Sequence, residues 1–213
     1  MINFIPIFPL STVVYPGEQL NLHIFEPRYI QLINECFEKK KPFGIPVVLK
    51  SKVEEMGTLV EVKEIAKVYD DGKLDIKTIG VSVFRILEVV KTVPDKLYSG
   101  AIVDYPRNEQ HRIDRMVKRI VKGIKELHRL LNVNKDFPKP EDQLNSYDLA
   151  HHAALSLEEE YEFLGLLRED QRMEYLKRHL NKVLPAVSGI EDLQQRAKRN
   201  GHFRELKGFN FDF

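Results

Sequence analysis

The stretch "LNLHIFEPRYIQLINECFEKKKPFGIPVV", residues 20–48, contains an abrupt change from one secondary-structure period to another. Leu20, Leu22 and Ile24 alternate with polar residues, as in a half-buried strand. A proline follows at position 27, where its missing N–H costs nothing because first-turn N–H groups have no partner within the helix. Apolar residues then recur at helical spacing. The pattern predicts a strand that turns directly into a short amphipathic helix over 27–39.

Phe25, Glu26, Arg28 and Tyr29 lie at this predicted corner and are the first candidate binding residues. A carboxylate near a helix N-terminus is stabilised by the helix dipole, and Arg28 can pair with it. Tyr29 can bury its ring while its hydroxyl stays hydrogen-bonded. Two interpretations remain open, a structural brace between strand and helix and an exposed edge that binds peptide.

The composition is that of an ordinary globular protein. Of 213 residues, 43% are hydrophobic and 31% are charged, and the formal net charge is +1, so no overall field attracts nucleic acid or anionic membrane. The single cysteine, Cys36, permits no internal disulfide and suits a reducing compartment. No stretch approaches the roughly 20 apolar residues of a membrane span, and "MINFIPIFPL" is not typical of a secretory signal. We expect a soluble, cytoplasmic protein.

The first half of the chain has the pattern of β structure. Strands are predicted over 43–49, 57–69, 74–79, 83–90 and 98–105, with Gly80 as a break between two of them. Asp71-Gly72 is a hairpin signal, because glycine tolerates the positive φ of tight turns. Six or seven short strands at this spacing predict a closed or nearly closed barrel with one helix.

The second half changes to helical periodicity. Apolar residues mark one long amphipathic helix over 113–131, and a proline-containing loop follows over 132–145. Further helices are predicted over 146–155, 156–167, 170–184 and 188–199. Ser156 and Glu159 fit a capping box at the start of one of them. The fold class is therefore α+β, with a strand half followed by a helical bundle.

The sequence lacks the common enzyme signatures. It contains no phosphate-binding G-x-x-x-x-G-K-[ST] loop, no G-x-G-x-x-G, no G-x-S-x-G and no H-E-x-x-H. Cys36 borders the apolar face of the first helix, which favours a packed cysteine over a nucleophile. We therefore predict no catalytic residue and no cofactor.

His151 and His152 precede three consecutive glutamates, Glu158 to Glu160, which resembles a set of metal ligands. Adjacent histidines on a helix point about 100° apart, however, and the glutamates begin a separate capped helix. We favour solvated or partly packed residues and predict no metal site.

A basic stripe follows the long helix of the second half. Its proposed contact residues for nucleic-acid phosphates are Arg112, Arg115, Arg119, Lys122 and Arg129. No aromatic residues interleave with these charges to stack bases. A solvated helix face is the favoured interpretation, and RNA binding is the alternative.

The C-terminal "GFNFDF" places Phe209, Phe211 and Phe213 on one face of an extended segment. Three exposed phenylalanines would form a costly apolar patch. We expect this tail to dock into a groove, either on its own chain or on a neighbour by strand addition.

The stretch "FIPIFPLSTVVYPGEQLNLHIFEPRYIQLINECFEKKKPFGI" closely resembles the start of the Lon N-terminal, or substrate-binding, domain family. The resemblance continues through "MGTLVEV", "DGKLDIKTIGVSVFRILEV" and "LSLEEEYEFLGLLREDQRMEYLKRHL", and it covers essentially residues 3–185. It implies a PUA-like β barrel over 1–106 and a helical bundle over 107–200, followed by the aromatic tail, 201–213. In Lon proteases this region captures unfolded or tagged polypeptides.

The resemblance is to stand-alone members without the ATPase and protease domains of Lon. We therefore expect a non-catalytic module that binds unfolded or extended polypeptide and is linked to protein quality control, with an ATP-dependent protease as a candidate partner. Arg85, in the resembling "VFRILEV", is expected to pair at a barrel rim and is included among the binding candidates. The sequence predicts no oligomeric state.

Overall fold

The computed structural model describes residues 2–202, with side chains except at 191, 192 and 194–202. The strands are β1 (Ile2–Pro6), β2 (Gln19–Ile24), β3 (Phe43–Leu49), β4 (Lys52–Val68), β5 (Leu74–Val90) and β6 (Gly100–Asp104). The helices are α1 (Pro27–Glu38), α2 (Asp114–Leu131), α3 (Ser146–Ala150), α4 (Leu157–Leu164) and α5 (Glu169–His202), with a short 3-10 helix at Glu141–Gln143. The strand half followed by a helical half is confirmed.

The six strands form one antiparallel sheet with the order β1-β6-β5-β4-β3, and β2 pairs with the first part of β5. The described strands do not close into the predicted barrel. After β1 the chain reaches β3 only through isolated parallel bridges, Ile7 to Gly44 and Leu10 to Val47. Prolines at 6, 9 and 46 interrupt this contact, because a proline donates no N–H to a ladder. A PUA-like barrel thus stays a prediction.

The strand β5 runs without a break through Gly80, contrary to our prediction of two strands. A Cβ atom at Gly80 would lie 2.2 Å from the carbonyl oxygen of Tyr15. The glycine is therefore needed for a close backbone approach. The predicted hairpin is confirmed, since β4 and β5 are joined by a turn in which Gly72 has a φ of 82°.

The helix α5 also differs from the prediction, which placed two helices over 170–199. It continues across Pro185 as one element of 34 residues. A proline inside a helix removes one hydrogen bond and crowds the preceding turn, but it does not end α5. The capping box of Ser156 and Glu159 at the start of α4 is confirmed. No described helix within residues 2–202 has the length and apolar character needed to cross a bilayer.

A shared core joins the strand half to the helical half. Tyr15, Val47 and Val83 from the strand half are buried in one cluster with side chains of α2, α4 and α5. A second cluster packs α1 against β2 and the neighbouring strands. The corner of interest therefore lies on a firmly packed layer.

A buried polar network fixes the segment that links the halves. Arg172 is fully buried and donates to Glu169 at 2.8 Å, to Ser146 at 2.7 Å and to Asn108 in the linking segment at 2.9 Å. Its guanidinium also lies 4.2 Å from the ring centroid of Tyr147. Buried charges need this degree of pairing, because an unpaired one carries a large desolvation cost.

Candidate functional site

The corner between β2 and α1 is built as a brace with an exposed rim. Glu26 is the N-cap residue of α1, but its carboxylate makes no capping hydrogen bond. It pairs instead with Arg28, whose Nε lies 2.9 Å and whose Nη2 lies 2.7 Å from Glu26 Oε2. The Arg28 guanidinium lies 4.5 Å from the ring centroid of Tyr29. These contacts tie together the first residues of α1.

Tyr29 carries the structural part of the corner. Its ring stacks on Phe8 with centroids 4.0 Å apart, and the residue is buried. Burial raises the pKa of its hydroxyl, an effect that the nearby Arg28 partly offsets. Phe25, in contrast, is 60% exposed. The corner predicted from the sequence therefore combines the buried Tyr29 with the exposed Phe25 four positions earlier.

Arg85 lies on another part of the sheet. It forms a bidentate pair with Asp104, with distances of 3.2 and 2.8 Å, which raises the pKa of Arg85. The predicted rim pair is thus present. No ion pair or hydrogen bond in residues 2–202 joins Arg85 to the corner, so the structure does not bring these candidates into one site.

A second candidate region is a cavity of about 390 Å³ between the two halves. We call it the junction cavity; its lining includes Tyr15, Glu18, Gln19, Lys139, His151 and His152. Lys139 is paired with Asp148 at 2.8 Å. The cavity therefore offers aromatic surface beside charged groups that are already paired.

His151 joins the halves at this cavity. Its Nδ1 lies 2.7 Å from Glu160 of α4, and its Nε2 lies 3.0 Å from Glu18 of the loop before β2. Burial lowers the pKa of His151, but the hydrogen bonds to Glu160 and Glu18 outweigh burial and raise it to about 9. The histidine is a protonated link at neutral pH.

This link is the arrangement that the sequence analysis missed. We expected His151 to be solvated or partly packed. Nothing in the sequence pattern indicated a contact between His151 and Glu18, which lie 133 positions apart in the chain. Within residues 2–202, no group of three or more potential ligands is arranged to hold a metal ion. Only the folded structure shows that Glu18 lies beside His151 and Glu160.

His152, the neighbouring histidine, lies in an apolar environment, whereas His151 lies between two carboxylates. It is buried, and its ring packs 4.7 Å from that of Phe137. Burial, followed by the charge of Lys135, lowers the pKa of His152 to about 4. Cys36 is likewise buried, and burial raises the pKa of its thiol to about 11, as expected for a packed cysteine.

The basic stripe is only partly free. Arg115, Arg119 and Lys122 are exposed on α2. Arg112 lies 2.7 Å from Asp114, and Arg129 pairs with Glu126 at 2.9 Å. Two of the five proposed contact residues are therefore already paired with carboxylates.

The predicted aromatic tail, with Phe209, Phe211 and Phe213, lies outside the described residues.

Comparison with known proteins gives a consistent picture. The family model of the ATP-dependent protease La (LON) substrate-binding domain matches residues 5–182. A Lon N-terminal domain protein from Xanthomonas campestris is 25% identical with a TM-score of 0.62, and the match covers 83% of this chain and 98% of that one.

The N-terminal domain of a Mycobacterium avium complex Lon protease is 13% identical with a TM-score of 0.60, over 84% of this chain and 98% of that one. At this identity the likeness concerns the fold. The family match spans the sheet, the corner and the helical half up to the middle of α5. The chain belongs to the ATP-dependent protease La (LON) substrate-binding domain family.

Proposed function

We propose that this protein is a non-catalytic module that binds unfolded or extended polypeptide. The observation that carries the proposal is the match of residues 5–182 to a substrate-binding domain family of an ATP-dependent protease. The match is to the substrate-binding domain and not to a protease or ATPase domain. A link to protein quality control, a cytoplasmic location and an ATP-dependent protease as partner belong to the same proposal.

The surface of the strand half supports this role. Most of the large exposed apolar side chains among the described residues lie there, at Ile2, Phe4, Phe25, Phe37, Val68, Val81, Leu87, Val89 and Leu97. Exposed apolar surface of this kind favours contact with other polypeptides. The proposed contact corner consists of Phe25, Glu26, Arg28 and Tyr29. Arg85 is proposed as a separate contact at the rim of the sheet.

The division of the chain remains part of the proposal. We assign 1–106 to a PUA-like subdomain, 107–200 to a helical subdomain and 201–213 to a tail. The phenylalanines of the tail, Phe209, Phe211 and Phe213, are proposed as a segment that docks into an apolar groove.

RNA binding is the second candidate function, and the exposed Arg115, Arg119 and Lys122 on α2 favour it. Phosphate contacts make binding strongly salt-dependent, because each contact releases counterions. Apolar and backbone contacts to a polypeptide lose little affinity with salt. The two functions therefore predict different salt responses.

The test is a pair of titrations on the purified full chain, one with a labelled unfolded polypeptide and one with a mixed single-stranded RNA, each at low and high salt. We expect polypeptide binding that changes less than about threefold between about 50 and 200 mM salt. RNA binding that falls at least about tenfold over the same range, without polypeptide binding, would replace the proposal with the RNA alternative. Binding of neither would contradict both.

A further inference from the structure

Within residues 2–202, the strand β2 leaves one of its two edges unpaired. Among the described strands, β2 pairs only with β5. The backbone hydrogen bonds of the described turns and loops reach Glu18 just before the strand but none involves residues 19–24. An unpaired edge presents a row of free N–H and C=O groups to any extended chain.

The ladder fixes which groups face outward. The N–H of Gly80 donates to the carbonyl of Glu18 at 2.9 Å, so the bonded pairs fall on alternate residues, 20, 22 and 24. The N–H and C=O groups of Gln19, Asn21 and His23 therefore point away from β5. They repeat about every 6.8 Å, the two-residue spacing of an extended chain.

The outer edge of β4 is protected against strand addition. The outer edge of β4 carries Lys63, Glu64 and Lys67, and the β4–β5 register shifts between Val62 and Glu64 and again between Ile65 and Lys67. Charges and bulges of this kind prevent strand addition. The outer edge of β1 also lacks charges and register shifts, but β1 has only five residues and ends at Pro6, which donates no N–H. The strand β3 is bonded by the segment that follows β1.

The edge of β2 has none of these protections. Its sequence, QLNLHI, contains no Lys, Arg, Asp or Glu, and its register with β5 has no shift. Gln19 lies at the junction cavity, and Phe25, 60% exposed, follows the last residue of the strand. The edge thus runs from the cavity to the exposed aromatic residue of the corner.

We propose that β2 is the docking strand for substrate, and that an extended segment of unfolded polypeptide adds to its outer edge as a seventh strand. This inference rests on the proposed polypeptide-binding function. Main-chain hydrogen bonds to residues 19, 21 and 23 supply sequence-tolerant affinity. Leu20 and Leu22 are half-buried on the face toward α1, and Asn21 and His23 are exposed on the other. The preferred segments therefore alternate apolar and polar residues.

The first test is amide hydrogen exchange on the full chain, with and without a nine-residue peptide of alternating valine and threonine. In the free protein we expect fast exchange at Asn21 and His23 and slow exchange at Leu20 and Leu22, which bond to β5. Peptide should slow Asn21 and His23 at least about tenfold and leave the charged edge of β4 unchanged. The same peptide with alternate N-methylated amides keeps its side chains and should give no protection.

The second test compares two substitutions at one position. Asn21→Pro removes the outward N–H without touching a β5 bond, and Asn21→Ala keeps it. We expect about tenfold weaker peptide binding for Asn21→Pro and unchanged binding for Asn21→Ala. If Asn21→Pro melts at a lower temperature than the wild type, the exchange experiment still tests strand addition, because it uses the wild-type chain.

Three outcomes overturn the inference. Peptide binding with unchanged exchange at Asn21 and His23 would refute strand addition and leave the proposed function intact. Protection that rises with protein concentration in the absence of peptide would assign the edge to a second copy of the chain. If neither the peptide nor a long unfolded polypeptide binds, the proposed function fails with it.

Discussion

Two arginine–carboxylate pairs of nearly equal length differ in burial and therefore in their contribution to stability. Arg172 and Glu169 lie 2.8 Å apart with side chains fully buried, whereas Arg28 and Glu26 lie 2.7 Å apart with side chains 51% and 40% exposed. The first pair is surrounded by partners and fastens the linking segment to the helices. The second pair is accessible to solvent, and the proposed function has it exchange its partner for one on a bound chain. Burial, and not distance, decides which pair carries stability.

The largest expected effect comes from breaking the buried pair. Glu169→Gln leaves the Arg172 charge without its carboxylate in a site closed to water, and we expect a loss of about 3–5 kcal/mol in the free energy of unfolding. Glu26→Gln is the matched control at the exposed pair and should cost less than about 1 kcal/mol. Urea unfolding of both variants provides the measurement. Equal losses would remove the distinction between the two pairs.

An intermediate effect is expected at His151, which links the halves with its Glu18 and Glu160 bonds. Its pKa is raised from about 6.5 to about 9, so the folded state binds the proton more tightly. The stabilisation is complete below pH 6.5, declines between pH 6.5 and 9, and is lost above about pH 9. At about 1.4 kcal/mol for each pKa unit, His151→Gln should therefore lower stability by about 3 kcal/mol at pH 6.

Urea unfolding at pH 6, 7.5 and 9.5 checks this dependence. The difference between wild type and His151→Gln should shrink as the pH rises. His111→Gln, a change at an exposed histidine, is the control and should leave stability unaltered at every pH. A difference for His151→Gln that stays constant from pH 6 to 9.5 would show that His151 is not a protonated link.

The parts of this fold that depend on neighbouring residues could be predicted from the sequence. The corner at Phe25 to Tyr29, the hairpin at Gly72 and the capping box at Ser156 each arise within a few residues. Patterns of period and turn chemistry are sufficient there, because local sterics and local hydrogen bonds determine the conformation.

The features that depend on distant contacts could not be predicted. Gly80 looked like a strand break, but its purpose is the approach of the Tyr15 backbone. Pro185 looked like a helix end, although α5 continues across it. His151 required Glu18, which only folding brings near. At Gly80 and His151, a tertiary contact outweighs the local preference of the residue.

The smallest stability effect, and the most direct test of polypeptide binding at the corner, is expected from Phe25→Ser. Because Phe25 is 60% exposed, the change should alter the free energy of unfolding by less than about 1 kcal/mol. Removing an apolar side chain that a bound polypeptide covers should nevertheless weaken binding about fivefold or more. Leu131→Ser, at an exposed leucine ending α2, is the control and should bind as the wild type does.

The decisive measurement is the affinity of the labelled unfolded polypeptide for these three proteins at high salt, with melting curves for each. We expect that only Phe25→Ser binds more weakly and that all three proteins melt alike. Equal affinity of Phe25→Ser and wild type would show that the corner does not touch the bound chain and would rule out the proposed contact corner.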